Sequence, residues 1–470
     1  MSSDTDPISI ALGSGDTTWD LGPEGDDSPR GNEPGRGLLA RMWRSGNALG
    51  IADQAVVSAT SFLSTIVVGR VCGASELGIF TLAVSILVTI NALQNSLIAA
   101  PYTLRGAHLP AAAEKHFASN VLIHMVLLFS LISLIMAGLV YGSWVSGLLP
   151  VEGRVAAIVV VVATPLFAMR QLARRFAFAH LHVSTALAID LLVAAVQLTS
   201  IGVLAYLNRL TAVTGLTSLA AANAVVSLGW LAAASRWFAP VLSDLAVDWR
   251  ENWSLSKWLA ASDLTSVFGS YFIFWLLAAM LGSLETGIYS ACMTVILLAN
   301  PVLLGLQNVL QPRVARALAE GGEAQMRPVV HRATGLYVVF MLAFCLVAAV
   351  AGGKFVELLY QGQEYAAQNT LVAILAGMAL VESAGVAACC GLRAMGQTNL
   401  VFMAGIIDLV AALLLAVLLI PTWGLIGAAV AMLISSIVGT VLRLVAFQYS
   451  RSKLEPPSMR IFSPVKSSQK

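Results

Sequence analysis

The sequence predicts an all-α polytopic membrane protein: about twelve transmembrane helices in two parallel six-helix lobes around a central cavity. Three observations predict it: an apolar composition, a regular alternation of apolar runs with basic flanks, and an internal repeat. Of the 470 residues, 58% are hydrophobic and only 11% are charged, where a soluble domain carries about 25% charged residues. Mean hydropathy is +0.82.

Runs of roughly 20 apolar residues are long enough to cross a bilayer core. They fall at about 50–70, 78–100, 118–140, 155–173, 183–205, 214–235, 258–280, 286–310, 332–352, 369–391, 399–420 and 423–446. With a cytoplasmic N-terminus, 23 of the 27 Lys and Arg side chains flank the inner ends, and only Arg70, Arg154, Arg209 and Lys354 lie outside. Such a bias sets orientation, and a missed or extra span would scramble it downstream. Both termini are then cytoplasmic, in the cytoplasmic (inner) membrane.

The chain also contains itself twice. Gly73, Glu76, Gly78 and Ile79 recur as Gly282, Glu285, Gly287 and Ile288, and Gly215-Leu216 recurs as Gly424-Leu425, all at an offset of 209. Ile189-Asp190-Leu191 echoes Ile407-Asp408-Leu409, and Arg175 echoes Arg393, at an offset of 218. Six spans per half is an even number, so both halves enter from the same side and the repeats are parallel rather than inverted.

Five segments follow. Residues 1–35, with eight acids and four prolines, are expected to be a disordered acidic cytoplasmic tail. Residues 36–235 form the N-terminal six-helix lobe, opening on a stretch to 46 in which Arg36, Arg41 and Arg44 alternate with apolar residues, as in a surface-lying helix or a plain basic flank. Residues 236–257 are an interfacial inter-lobe linker, where Trp237, Trp249, Trp253 and Trp258 concentrate and Trp249 and Trp253 share a helical face. The C-terminal lobe is 258–447, and 448–470 is a basic cytoplasmic tail suited to anionic lipid.

Polar side chains inside the spans are the candidate functional residues. An acid at mid-membrane costs about 2.5–3.5 kcal/mol, so it faces a cavity or a partner. Asp53 and Asp263 are repeat-related near the cytoplasmic mouth, Asp190 and Asp408 lie deeper, and Glu382 has no acidic counterpart. These five are gating or proton-coupling candidates, with structural hydrogen bonding or a helix-dipole preference as the alternative. Asn91, Gln94 and Asn95 in span 2, and Asn300, Gln307, Asn308 and Gln311 in span 8, form amide-rich stretches in both halves. Amides can meet sugar hydroxyls in a cavity or satisfy each other between helices. Arg105, Arg316, Arg175, Arg393 and Arg443 stand at cytoplasmic span ends, where they suit an anionic headgroup and equally suit topology alone. The five cysteines and six histidines show no metal spacing, and no phosphate-binding loop is present. Nothing points to a cofactor, a metal, a nucleic acid or an enzymatic reaction.

The segment Gly69–Phe80 (GRVCGASELGIF), the stretch Arg393-Ala-Met-Gly396-Gln, and the run Trp423-Gly-Leu-Ile-Gly427-Ala-Ala resemble polysaccharide flippases of the multidrug/oligosaccharidyl-lipid/polysaccharide (MOP) exporter superfamily. The resemblance covers about residues 40–447. It implies alternating access by lobe rocking, a cavity lined by helices 1, 2, 7 and 8, and transfer of a lipid-linked oligosaccharide or polysaccharide precursor to the outer leaflet. Its implied partners are that lipid-linked glycan, membrane lipids and the glycan assembly machinery. Such flippases often carry cavity arginines, and mid-span cations look scarce in this chain. Extrusion antiporters of the same superfamily are the alternative. They often place an acid just before a glycine near the outer end of helix 1, where this chain has Val67, Val68 and Gly69. A membrane scaffold or glycan polymerase ranks third, since the outer segments near 141–154 and 353–368 are too short for a polymerase's large loop.

Overall fold

The computed structural model describes residues 46–450 except 107–108, 148–150, 181, 236–237 and 239–240. The acidic tail, most of the 36–46 stretch, Trp237 and the basic tail beyond Ser450 lie outside the described residues. Every described element is helical. In order these are α1 (Gly46–Cys72), α2 (Ala74–Gln94), α3 (Ala111–Val145), α4 (Val151–Ala179), α5 (Val183–Tyr206), α6 (Ala212–Ala234), α7 (Leu245–Met280), α8 (Ser283–Ile296), α9 (Asn300–Tyr360), α10 (Asn369–Ala394) and α11 (Thr398–Tyr449). Helices prevail because lipid offers no partner for a backbone N–H or C=O.

Ten of the described stretches are long and apolar enough to cross a membrane, and this is a multi-pass membrane protein. Two of the stretches are double. A straight helix of α11's 52 residues would be about 78 Å long, far beyond a core of about 30 Å. Instead the chain reverses at Gly424, whose φ of 56° and ψ of −131° suit only glycine. A Cβ on Gly427 would lie 2.1 Å from the carbonyl oxygen of Leu419, a separation of about 12 Å in a continuous helix. In α9 the reversal is at Gly321-Gly322. Tyr337 Oη reaches the carbonyl of Leu303 at 3.4 Å, about 50 Å away along a straight helix. Counting both bends, the ten stretches hold the twelve predicted runs.

The chain divides into two compact units. The first holds the chain to Val71 and Leu82–Val267; the second holds Cys72–Thr81 and Phe268 onward. In the first unit, α4 packs against α3, α5 and α6. Pro165 inside α4 has no N–H for the carbonyl of Val161. Ser133 Oγ on α3 donates to that carbonyl at 3.1 Å, so the orphaned acceptor is satisfied by a neighbouring helix. The linker is largely helical: α7 runs unbroken from Leu245, with Trp249 and Trp253 stacked at 6.2 Å on one face. Asn120 of α3 anchors its approach, donating to Asp248 Oδ2 at 2.9 Å and to the carbonyl of Val241 at 3.2 Å.

In the second unit, Leu310, Val314, Met326, Tyr337, Leu392 and Phe447 centre one apolar core shared by α9, α10 and α11. Small residues set its close approaches: a Cβ on Gly391 would meet the Phe447 ring at 2.3 Å. Arg327 closes the end of α11. Its guanidinium donates to the carbonyls of Phe447, Gln448 and Ser450 at 3.2, 3.2 and 2.8 Å. Those are carbonyls the helix end leaves unpaired. Arg327→Ala is expected to destabilise this end by about 1.5–3 kcal/mol, the worth of charged hydrogen bonds. Amide exchange should rise selectively over the last turn of α11, and unchanged exchange there would refute the cap.

The first eight residues of α2 belong to this second unit and cross α8 at the repeated glycines. A Cβ on Gly78 would sit 1.9 Å from the carbonyl oxygen of Ser283, and one on Gly287 would sit 1.7 Å from that of Ala74. Ser75 and Ser283 hydroxyls lie 2.7 Å apart, and those of Thr81 and Ser290 lie 2.8 Å apart. Ala74-x-x-x-Gly78 and Ser283-x-x-x-Gly287 are the small-residue spacing that lets membrane helices touch backbone to backbone. Glu364 caps the start of α2, accepting from the N–H of Ala74 at 2.9 Å.

Candidate functional site

The densest polar constellation is in the first unit. Arg170 and Arg174 are one turn apart on α4, so both project from one face. Arg174 Nη2 lies 2.7 Å from Asp53 Oδ2 of α1, and its Nε lies 2.7 Å from Asp190 Oδ2 of α5. Arg170 Nη2 donates to the other oxygen of Asp190. Asp190 is 2% exposed, Asp53 3% and Arg170 7%. Two cations and two anions leave a neutral quartet, the form in which buried charge is tolerable. It is not saturated: among the described residues Asp53 Oδ1 and Arg170 Nε have no hydrogen-bond partner. Further along, Gln197 of α5 donates to Ser64 of α1 at 2.9 Å.

The sequence places Arg170 and Arg174 at a cytoplasmic span end, because the apolar run stops near 173. In the structure α4 continues to Ala179, so both guanidiniums project from the helix itself and not from a flanking segment. They were missed for a second reason. At the offset of 218 their counterparts are Ala388 and Leu392, so the repeat does not flag them. The available signal was an i, i+4 pair of arginines facing a run that holds a lone acid.

Arg175 stands on the adjoining face and donates to Asn95 Oδ1 of the α2 extension, both side chains remaining accessible. Beyond Gln94 that helix passes through two π-helical turns, Asn95–Ala99 and Tyr102–Gly106. Such turns occur disproportionately at functional sites. They bring Ser96 Oγ onto Asp263 Oδ2 of α7 at 2.5 Å. Gln94 is buried with its Nε2 unpartnered among the described residues, while Asn91 is half-buried. Arg105 is otherwise engaged. It contacts Glu251 at 2.5 Å and Asn252 at 2.9 Å and lies 4.6 Å over the Phe117 ring, tying the start of α7 to α3.

The second unit repeats the theme with different parts. Asp408 pairs with Arg443 at 3.1 Å, and Glu382 accepts from Ser436 Oγ at 3.1 Å. Asp190 and Asp408 are therefore both arginine-paired, but α4 supplies the cation in one half and the second arm of α11 in the other. Asn300, Asn308 and Gln311 are exposed and Gln307 is half-buried along the first arm of α9. Arg393 is exposed, and among the described residues Arg316 pairs only with Glu320, at 2.6 Å. Among the described residues no three His, Cys, Asp or Glu gather as a metal site.

Comparison with known proteins fits this geometry. The MatE family matches residues 261–418. The probable low-salt glycan biosynthesis flippase Agl15 of Haloferax volcanii is 25% identical over 214 residues, 43% of this chain and 44% of that protein. The match thus spans under half the length of that relative. An inward-facing multidrug resistance MATE family transporter of the MOP superfamily superposes with a TM-score of 0.68 at 14% identity, over 86% of this chain and 94% of that one. The lipid II flippase MurJ, in an inward closed conformation, gives 0.65 at 10% identity, over 85% and 87%. A MOP superfamily transporter from Pyrococcus furiosus gives 0.60 at 13%, over 87% and 96%. At these identities the solved structures speak to fold alone. Residues 261–418 of the chain match the MatE family, and the chain shares the fold of these solved transporters.

Proposed function

We propose that this protein is a flippase that moves a lipid-linked oligosaccharide or polysaccharide precursor from the cytoplasmic to the outer leaflet by alternating access. The observation that carries the reading is the row of guanidiniums on α4. Arg170 and Arg174 are paired with acids of the neighbouring helices, and Arg175 is accessible beside the Asn95 amide. A planar guanidinium binds phosphate oxygens two at a time, and an amide next to it suits a sugar hydroxyl. The likeness to Agl15 supports the same substrate class. On this reading the protein is not an enzyme, sits in the inner membrane with both termini cytoplasmic, and works beside the glycan assembly machinery.

The likeness to multidrug MATE transporters favours one second reading, a cation-coupled antiporter. Against it, Asp53 and Asp190 are already balanced by arginines and need no coupling cation to neutralise them. Deletion separates the two. A flippase deletion leaves glycan on its lipid carrier inside the cell and none at the surface. Normal surface glycan with raised drug sensitivity would establish the antiporter instead.

A further inference from the structure

A recess of about 360 Å³ in the second unit is lined by Leu281, Glu285, Gln368 and the segment Trp423–Ile426. Ligand pockets begin at about 300 Å³. Three connections meet here: the one between α7 and α8, the one between α9 and α10, and the bend of α11. The alternation of basic flanks puts all three on the outer side. We infer that this recess is a sugar-binding site on the outer face, taking a neutral pyranose unit of a glycan.

The lining has the parts such a ligand needs. The Trp423 ring is 56% exposed and offers a flat apolar face beside a polar rim. Glu285 carries two acceptor oxygens, and among the described residues no Lys, Arg or His pairs with it. Gln368 donates one N–H to the carbonyl of Ala366 at 3.2 Å, leaving its other N–H and its Oε1 for hydroxyls. No basic side chain lines the recess, so a phosphate finds no counter-charge there. One ring is not the aromatic cage that selects quaternary ammonium groups.

The repeat adds an independent argument. Glu285, Gly424 and Leu425 match Glu76, Gly215 and Leu216, whereas Trp423 stands opposite Thr214. Both halves keep the carboxylate and the Gly-Leu turn; the aromatic platform that completes the recess is present in one half only. The origin of the sugar, an arriving glycan, rests on the flippase reading above; the site itself does not.

The test uses the full chain in lipid nanodiscs, with maltotriose and chitotriose as soluble probes read by saturation-transfer NMR. At least one probe should bind. Trp423→Ala should weaken it roughly ten-fold, as truncating an aromatic anchor does, and Trp423→Phe should retain most of the binding. Melting curves confirm that both variants are folded. The site is refuted if neither probe binds the unmodified chain, or if Trp423→Ala binds equally well. It is also refuted if tetramethylammonium displaces the sugar and loses binding in Glu285→Gln. Flipping of a lipid-linked glycan is measured with the same protein preparations reconstituted into sealed liposomes. Sugar binding at Trp423 without flipping would reject the transport reading and leave the site standing. Flipping without sugar binding would reject the site alone.

Discussion

Gly78→Ala and Gly287→Ala should each lower the melting temperature of the protein sharply, and Leu at either position should abolish the folded form. The added Cβ would lie 1.9 or 1.7 Å from a backbone carbonyl oxygen of the crossing helix. No rotamer relieves a clash with backbone, so α2 and α8 must separate along their whole contact. Overpacking costs about 1–3 kcal/mol where side chains can yield; here nothing can, and the cost should exceed the top of that range. Separation would also break the Ser75–Ser283 and Thr81–Ser290 hydroxyl pairs. Gly202→Ala in α5 is the control: nothing lies within 4 Å of its Cβ position. Alanine is better than glycine inside a helix by about 0.5–1 kcal/mol, so that variant should melt at or above the parent. If Gly78→Ala melts with the parent, the crossing is not as close as described. In a background free of native cysteines, Ser75→Cys with Ser283→Cys should cross-link on mild oxidation.

The second large effect belongs to the charge quartet. Arg174→Ala breaks the ion pair of Asp53 and leaves Asp190 paired with Arg170 alone. Removing one partner of a buried pair costs about 3–5 kcal/mol, because the other charge stays desolvated. Removing charges in matched sets is far cheaper. The double variant Asp190→Asn with Arg170→Gln should therefore melt well above either single variant. Thermal unfolding in detergent gives all three values. A double variant no better than the worse single one would show that these residues act separately. Transport should separate as well. If the α4 guanidiniums meet an anionic headgroup, the double variant stays folded yet loses flipping.

Much of the architecture was legible in the residues. Apolar length is a local property, and lipid imposes it strongly, so the twelve runs could be read directly. The stacked face of Trp249 and Trp253 was visible as a four-residue spacing. The repeat pointed to Gly78 and Gly287 without saying why they matter: the reason is a contact between segments more than 200 positions apart. The quartet was hidden by its own asymmetry. Asp190 and Asp408 drew attention as a matched pair, whereas Arg170 and Arg174 looked like ordinary topological flanks. Their role depends on where α4 ends, and helix ends depend on tertiary contacts that a hydropathy pattern does not contain. The amide stretches were legible as composition only. The structure buries Gln94, joins Asn95 to Arg175, and leaves Asn300 and Gln311 exposed, a division no spacing rule foretells.

The bend at Gly424 bears on how the protein is made. With Leu419 and Gly427 in contact, hardly any polar chain separates the last two apolar runs. Each run also carries half of a charge pair, Asp408 in one and Arg443 in the other. Entry of the two runs as one hairpin would keep that pair closed. A chain terminated near residue 422 would present Asp408 to lipid alone, and cellular quality control should degrade it.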